Sequence, residues 1–161
     1  MGARKIELAE YNPDWPVLFA SEAKAIKAVL GANAINIYHI GSTAVPGMIA
    51  KPVIDILLQV ADLAALTQAN PLTTLHYQAR GEYGIVGRRY FIKGDSVRTH
   101  HLHAFATDDA NIVRHLAFRD FLRANPAAAA EYSEIKRHAA RACNNNGSLY
   151  ARLKSPFLAN F

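Results

Sequence analysis

The sequence has a single cysteine, and none of its apolar runs approaches the length of a membrane-spanning helix. Cys143 alone cannot form an intrachain disulfide, and a zinc site built from several cysteines is excluded by count. Residues 1–7 lack the apolar segment of a secretory signal. These absences predict a cytoplasmic protein without a membrane partner.

Acidic residues are scarce in the C-terminal third of the chain. Between Arg114 and Lys154 there are eight basic residues and three acidic ones. The difference, eight minus three, equals the net charge of +5 of the whole chain of 161 residues. Such a basic stretch predicts an anionic partner, such as a nucleotide or RNA. A solvated helical face is the other interpretation of the same charges.

No internal repeat or low-complexity linker divides the chain, so we predict one domain over residues 1–161. Apolar alternation predicts strands over residues 34–40, 52–60, 83–86, 88–92 and 98–105. Helical periodicity predicts helices from about residue 14 to 30, more weakly over 62–77, and from about 110 onward, with breaks at 125–126 and 144–148. This order predicts an α/β (α+β) fold: a mixed β-sheet backed by helices, with a C-terminal helical segment.

A turn of small residues, Gly41-Ser42-Thr43, follows the first predicted strand. Glycine allows a close approach of the backbone to a ligand, and exposed N–H groups with the two hydroxyls can hold phosphate oxygens. The turn lacks the Gly-Lys-Ser/Thr ending of a Walker loop. It therefore predicts either a phosphate or nucleotide site of another kind or a purely structural turn.

One carboxylate interrupts the apolar run of the second predicted strand. Asp55 lies between Ile54 and Ile56, where a charge is costly unless it is paired or bound to a metal ion. Metal ligation is one interpretation. An ion pair with Lys51 or with an arginine is the other.

Two histidines alternate on a later predicted strand. His101 and His103 face the same side of that strand, so their imidazoles can converge on one ion or phosphate. We expect their strand to be a neighbour of the strand that carries Asp55. Together with Asp55 they would then form a facial triad that suits a transition metal better than Mg²⁺. The alternative is a pair of histidines bonded to their neighbours in the sheet.

Basic side chains flank these segments. Lys51 and Arg89 are candidates to neutralise phosphate charge, and alternation orients Arg88 to the opposite side from Arg89. Either arginine is otherwise a surface charge. Lys136 lies at the edge of an apolar helix face, from which it either reaches into the cleft or extends along the surface toward water.

The order of these segments resembles the GrpB family. The matching pieces are residues 11–16, 41–47, 51–56, 87–89, 93–95, 98–103 and 118–123, which together extend over nearly the whole chain. The resemblance implies a nucleotidyltransferase-like fold. In that superfamily a Gly-Ser turn is followed by paired acids that hold Mg²⁺ against a triphosphate. The first acid corresponds to Asp55, whereas the second position is occupied by Leu57.

Two functions follow from the resemblance and the residues together. The first is nucleotidyl transfer that depends on a divalent ion (Mg²⁺, Mn²⁺ or Zn²⁺), with a nucleoside triphosphate held by Gly41, Ser42, Thr43, Arg89 and Lys136, catalytic roles for Asp55, Lys51 and Arg89, and metal ligation by Asp55, His101 and His103. The second is a binding module for a nucleotide or phosphorylated metabolite in which transfer has been lost, as Leu57 suggests. RNA binding through the basic helices ranks third, because no aromatic-interleaved basic strand is present.

Overall fold

The computed structural model describes residues 7–143 and 146–158. Its helices are α1 (Asp14–Leu30), α2 (Ala64–Gln68), α3 (Ala110–Ala124), α4 (Pro126–Ala142) and α5 (Gly147–Leu158). Its strands are β1 (Ala34–Ile40), β2 (Ile54–Val60), β3 (Tyr77–Ala79), β4 (Arg89–Lys93) and β5 (His100–Ala106). Short 3₁₀ turns cover Gly31–Asn33, Ser42–Ala44 and Pro71–Leu75.

The five strands form one mixed sheet in the order β1-β2-β5-β4-β3. Only β2 and β5 run parallel, and the other neighbouring pairs are antiparallel. In the parallel pair, Asp55 is in register with His101 and Leu57 with His103. The sequence-based predictions of a mixed sheet backed by helices and of neighbouring strands for Asp55 and His101 are therefore confirmed.

The alternation of side chains divides the core between the two faces of the sheet. Ile56, Leu58 and Leu102 pack on one face with Trp15 and Ile26 of α1 in the main hydrophobic core. The opposite face carries Asp55 and a smaller apolar cluster, whose members are Ile40, Leu57, Phe105 and Ile112 of α3. We call this second face the Asp55 face.

The structure differs from the sequence-based prediction between β2 and β4. The predicted strand over residues 83–86 is wrong: these residues form turns, because Tyr83 has φ 51° and Gly84 has φ 92°, which an extended strand does not contain. The weak helix expected over 62–77 is short. It ends with α2 at Gln68 and is followed by a 3₁₀ turn and by β3, an edge strand of three residues that the apolar pattern did not indicate.

None of the helices within the described ranges has both the length and the apolar character that crossing a bilayer requires.

Candidate functional site

The turn after β1 brings the backbone against the carboxylate of Asp55. Gly41 has φ 74°, and a Cβ atom added to it would lie 2.7 Å from Oδ2 of Asp55. Only glycine leaves this space open, since a side-chain contact of that length does not occur. The sequence predicted a close approach of Gly41 to a ligand. The group that it approaches is a side chain of the protein itself.

The imidazoles of His101 and His103 in β5 point toward Asp55. Nε2 of His103 lies 3.3 Å and Nδ1 of His101 lies 3.6 Å from the same carboxylate oxygen, Oδ1. Burial by itself would raise the pKa of Asp55, but contacts with the two histidines outweigh it and hold that pKa well below its ordinary value. Asp55 is thus a carboxylate that keeps its negative charge.

The Gly-Ser-Thr turn is connected to the C-terminal helices through Ser42. Nζ of Lys136 in α4 donates a hydrogen bond of 2.6 Å to Oγ of Ser42. Lys136 is only 2% exposed, so it points inward and not along the surface toward water. Thr43 is also buried, and its hydroxyl bonds to Nε2 of His39 at 2.9 Å.

Two further lysines lie near the same place, and both contact one aromatic ring. Nζ of Lys51 is 4.6 Å and Nζ of Lys154 in α5 is 4.9 Å from the centre of the Tyr150 ring. Such contacts stabilise ammonium groups that have lost part of their hydration. The sequence singled out Lys51, but it missed Lys154 and Tyr150, for which the basic C-terminal stretch was the available signal.

The lysines are poorly hydrated and repel one another. Burial, together with the charge of Lys154, lowers the pKa of Lys136 to about 7. Burial and the charge of Lys51 lower the pKa of Lys154 to about 8. Burial also lowers the pKa of Lys51, although the charge of Asp55 partly opposes it. An anion placed among these lysines would compensate for their lost hydration and for their mutual repulsion, and would therefore raise their pKa values.

The three lysines and the carboxylate share one cavity of about 220 Å³. Its lining includes Ser42, Thr43, Lys51, Asp55, His101, Lys136, Tyr150 and Lys154. Three lysines face a single aspartate there, so the cavity has an excess of positive charge. We call this cavity the lysine cleft.

Arg89 does not join this cleft. It lies on the sheet face opposite Asp55, as its register in β4 requires. Its Nε donates to Oγ1 of Thr67 at 3.0 Å, and its guanidinium lies 3.8 Å from Glu82. The expectation that Arg89 shares a catalytic and phosphate-binding cleft with Asp55 is therefore corrected by its strand position.

Arg88, the neighbouring arginine, reaches the Asp55 face instead. It is 7% exposed, and its Nη1 lies 3.1 Å from Nδ1 of His103. Alternation had already separated Arg88 from Arg89. The contact with a histidine beside Asp55 was not predicted.

Several charges of the basic C-terminal stretch point inward. Nη1 of Arg119 donates to the carbonyl of His39 at 3.2 Å, and Nε of Arg123 donates to the carbonyl of Ala44 at 2.9 Å. With Lys136 and Lys154, these residues surround the turn and the cleft. The interpretation as a solvated helical face therefore does not hold for these four charges.

The sequence model described as GrpB protein matches residues 5–161 of this chain. The chain belongs to the GrpB family. A crystal structure of the conserved protein GrpB from Enterococcus faecalis has a TM-score of 0.84 to it at 36% identity, and the match covers 96% of this chain and 98% of that one.

Two curated relatives differ from this GrpB protein in length. The UPF0157 protein YqkA of Bacillus subtilis is 45% identical over 138 residues, which cover 85% of this chain and 40% of YqkA. A protein named dephospho-CoA kinase in Mycolicibacterium paratuberculosis is 29% identical over 178 residues, which cover 94% of this chain and 44% of that protein. The chain thus spans less than half the length of either relative.

The residues of this GrpB protein do not fit the two-metal centre that the superfamily resemblance implies. The position of the second acid is occupied by Leu57, which is 0% exposed within the apolar cluster of the Asp55 face. Among residues 7–143 and 146–158, no three or more His, Cys, Asp or Glu side chains are arranged as a preformed metal site. Binding of a single ion by Asp55, His101 and His103 stays a prediction.

Proposed function

We propose that this GrpB protein binds a small phosphate-bearing molecule, with a phosphate group in the lysine cleft. The observation that carries the proposal is the convergence of Lys51, Lys136 and Lys154 on a cavity with one carboxylate. Ammonium groups with lowered pKa values are destabilised as cations in the free protein. A phosphate dianion supplies the missing counter-charge.

The size of the cleft favours the phosphate part of a ligand. Pockets that enclose a whole drug-sized ligand have volumes of roughly 300–1,000 Å³. The lysine cleft has about 220 Å³. We therefore propose that one or two phosphate groups enter it, while the base and sugar of a nucleotide, or the carbon skeleton of a phosphorylated metabolite, lie at its mouth.

Binding without nucleotidyl transfer is the function that these residues support best. Two-metal phosphoryl chemistry needs carboxylates on both sides of the ion pair, and the second acid is replaced by a core leucine. In a two-metal site, metal ions supply the positive charge that neutralises a triphosphate. Here the three lysines of the cleft supply positive charge instead. The name of the dephospho-CoA kinase relative is in keeping with a nucleotide-like ligand.

Calorimetry with pyrophosphate, ATP and dephospho-coenzyme A, each with and without Mg²⁺, tests the proposal. We expect binding without Mg²⁺, and weaker binding with it, because the ion neutralises the phosphates that the lysines contact. Lys136→Met should weaken binding at least tenfold. Lys24→Met, at an exposed position of α1, changes the net charge equally and should not weaken binding.

Two outcomes would contradict the proposal. Absence of binding by all three ligands would exclude a phosphate site of useful affinity. Binding that requires Mg²⁺ and is lost in Asp55→Asn would favour metal-dependent nucleotidyl transfer.

A further inference from the structure

Arg88 is a buried cation for which no acidic partner is found among the described residues. Its Nε donates to the carbonyl of Glu82 at 3.1 Å, and its Nη2 donates to the carbonyl of Tyr83 at 2.8 Å. Its carbon Cζ lies 4.7 Å from the centre of the Tyr90 ring. These contacts fix the guanidinium in place, and they leave Nη1 directed at Nδ1 of His103.

The contact between Arg88 and His103 determines which imidazole nitrogen carries the proton. A guanidinium has only N–H donors and keeps its proton in proteins, so it cannot accept a hydrogen bond. Nδ1 of His103, at 3.1 Å from Nη1, must therefore be the acceptor and present its lone pair. The ring proton of the neutral imidazole is then on Nε2.

This proton faces Asp55. Nε2 of His103 lies 3.3 Å from Oδ1 of the carboxylate, so the N–H group donates to it. A metal ion binds an imidazole through a nitrogen lone pair. Nε2 of His103 has none in this tautomer, and its Nδ1 lone pair is used by Arg88. His103 is thus withdrawn from the set of metal ligands that its sequence position suggested.

The remaining ligands do not make a metal site. Without His103, an ion at Asp55 has one carboxylate and His101 as side-chain ligands, whereas protein sites for transition metals usually have three or four. Lys51, Lys136 and Lys154 line the same cavity and repel a divalent cation.

We infer that Arg88 is a positioning residue that fixes His103 as a hydrogen-bond donor to Asp55, so that the imidazole N–H group of His103 and not a divalent metal ion satisfies this carboxylate. The inference goes beyond phosphate binding and does not depend on it, because it concerns the proton on His103 in the protein alone. It also means that the side chains around Asp55 do not fit the metal ion that the family resemblance implies.

The tautomer of His103 is measurable in the whole protein by long-range ¹H–¹⁵N NMR of its histidine side chains, with His103→Gln to assign the signal. We expect a protonated Nε2 and an unprotonated Nδ1. A proton on Nδ1 alone, in the neutral ring, would overturn the inference. This measurement needs no variant of Arg88 and no ligand.

Metal titration of Arg88→Met provides the second test. In the unsubstituted protein, Zn²⁺ and Mn²⁺ should leave the His103 signals unchanged. In Arg88→Met, Nδ1 loses its donor, the ring is free to change tautomer, and Zn²⁺ affinity should rise at least tenfold. Adding Asp55→Asn to Arg88→Met should abolish the gain, which separates this site from surface histidines.

Two results would contradict metal exclusion by Arg88. One is binding of Zn²⁺ to the unsubstituted protein with a change in the His103 signals. The other is a folded Arg88→Met protein whose metal affinity is unchanged. Should Arg88→Met fail to fold, the NMR measurement on the unsubstituted protein decides. Neither result bears on phosphate binding, which is measured separately by calorimetry.

Discussion

The carboxylate of Asp55 fills the space beside Gly41 after β1, so stability should be sensitive to any side chain added at residue 41. In Gly41→Ala, the new Cβ atom would lie 2.7 Å from Oδ2 of Asp55, and φ 74° is unfavourable for alanine. We expect a loss of about 1–3 kcal/mol from the positive-φ backbone and a further loss from displacement of the carboxylate. Urea unfolding measures the sum.

Gly47→Ala is the matched control for this prediction. Gly47 also has a positive φ, 81°, but a Cβ atom there would meet no atom within 4 Å. It should lose stability through the backbone alone. Equal losses in the two variants would show that the carboxylate moves aside without cost and does not require a glycine at residue 41.

The lysines make anion binding dependent on pH. The pKa values of about 7 for Lys136 and about 8 for Lys154 mean that both side chains lose charge between pH 6 and 9 in the free protein. We expect the affinity for sulfate, which keeps its charge over this range, to fall as pH rises. Lys136→Met should show weaker binding at pH 6 and a shallower decline.

The stability of the anion-free protein should change in the opposite direction. A lysine whose folded pKa lies below the unfolded value of 10.5 binds fewer protons in the folded state above about pH 7. The free energy of unfolding therefore rises with pH between about 7 and 10. Sulfate affinity that rises with pH, or stability that falls over the same range, would contradict the lowered pKa values.

At the scale of elements, the sequence predicted those parts whose pattern is local. The apolar run with Asp55 and the alternating His101 and His103 indicated two neighbouring strands with their functional side chains on one face, as the structure has them. The segment around Tyr83 was wrongly predicted as a strand, because its apolar residues fit a strand pattern. That pattern does not reveal the positive φ angles of Tyr83 and of the neighbouring glycines.

Other parts of the site depend on tertiary packing, and the local sequence pattern could not predict them. Whether Lys136 extends into water or into the protein is decided by α4 packing beside the turn, 94 positions away from Ser42 in sequence. The same is true of Lys154 on α5 and of the contact between Arg88 and His103. For Arg89 the prediction failed in the opposite way. It was expected in the site, but its position in β4 places it on the other face of the sheet.

Helix α5 contributes Lys154 and the aromatic ring of Tyr150 to the cleft. Tyr150 is 2% exposed, packs with Ala139 and Cys143, and lies beneath Lys51 and Lys154. Tyr150→Ala should cost about 3 kcal/mol, as other large-to-small core changes do, and should weaken sulfate binding because both ammonium groups lose their contact.

Tyr150→Phe separates these effects, because it keeps the ring. We expect phenylalanine to preserve sulfate affinity within about twofold and most of the stability, as measured by calorimetry and thermal unfolding. Loss of binding in this variant would instead assign a role to the hydroxyl group of Tyr150.

Strand β2 provides a test of whether the cleft is a transferase site that lost one acid. Leu57 is 0% exposed and packs with Phe105 and Ile112, so Leu57→Asp buries a carboxylate among apolar side chains. We expect a large fall in melting temperature that Mg²⁺ does not reverse. Leu57→Met, which nearly conserves volume, should cost less than about 1.5 kcal/mol.

Recovery of stability by Mg²⁺ in Leu57→Asp would contradict this expectation. It would mean that the strand accepts a second acid next to Asp55 and that an ion neutralises the pair. The protein would then be only one substitution away from a two-metal arrangement.

At the scale of the whole molecule, the sheet separates two charged networks. On the face opposite Asp55, the buried Glu22 of α1 accepts hydrogen bonds from Tyr77 and Lys93. Within the residues that the structure describes, the charge of Glu22 is paired with that of Lys93, whereas the lysine cleft has more cations than anions. The sheet thus separates a buried acid that is paired with a lysine from a cavity that has an excess of positive charge.

The long sequence separation between the partners in the cleft also has a consequence for the kinetics of folding. Ser42 meets Lys136 across 94 positions and His39 meets Arg119 across 80, and such distant contacts form late because closing long loops costs entropy. An anion meets its complete set of partners only after α4 and α5 have docked. Stopped-flow experiments should therefore show that sulfate slows unfolding and leaves the refolding rate nearly unchanged. A faster refolding rate would place the assembled cleft in the transition state.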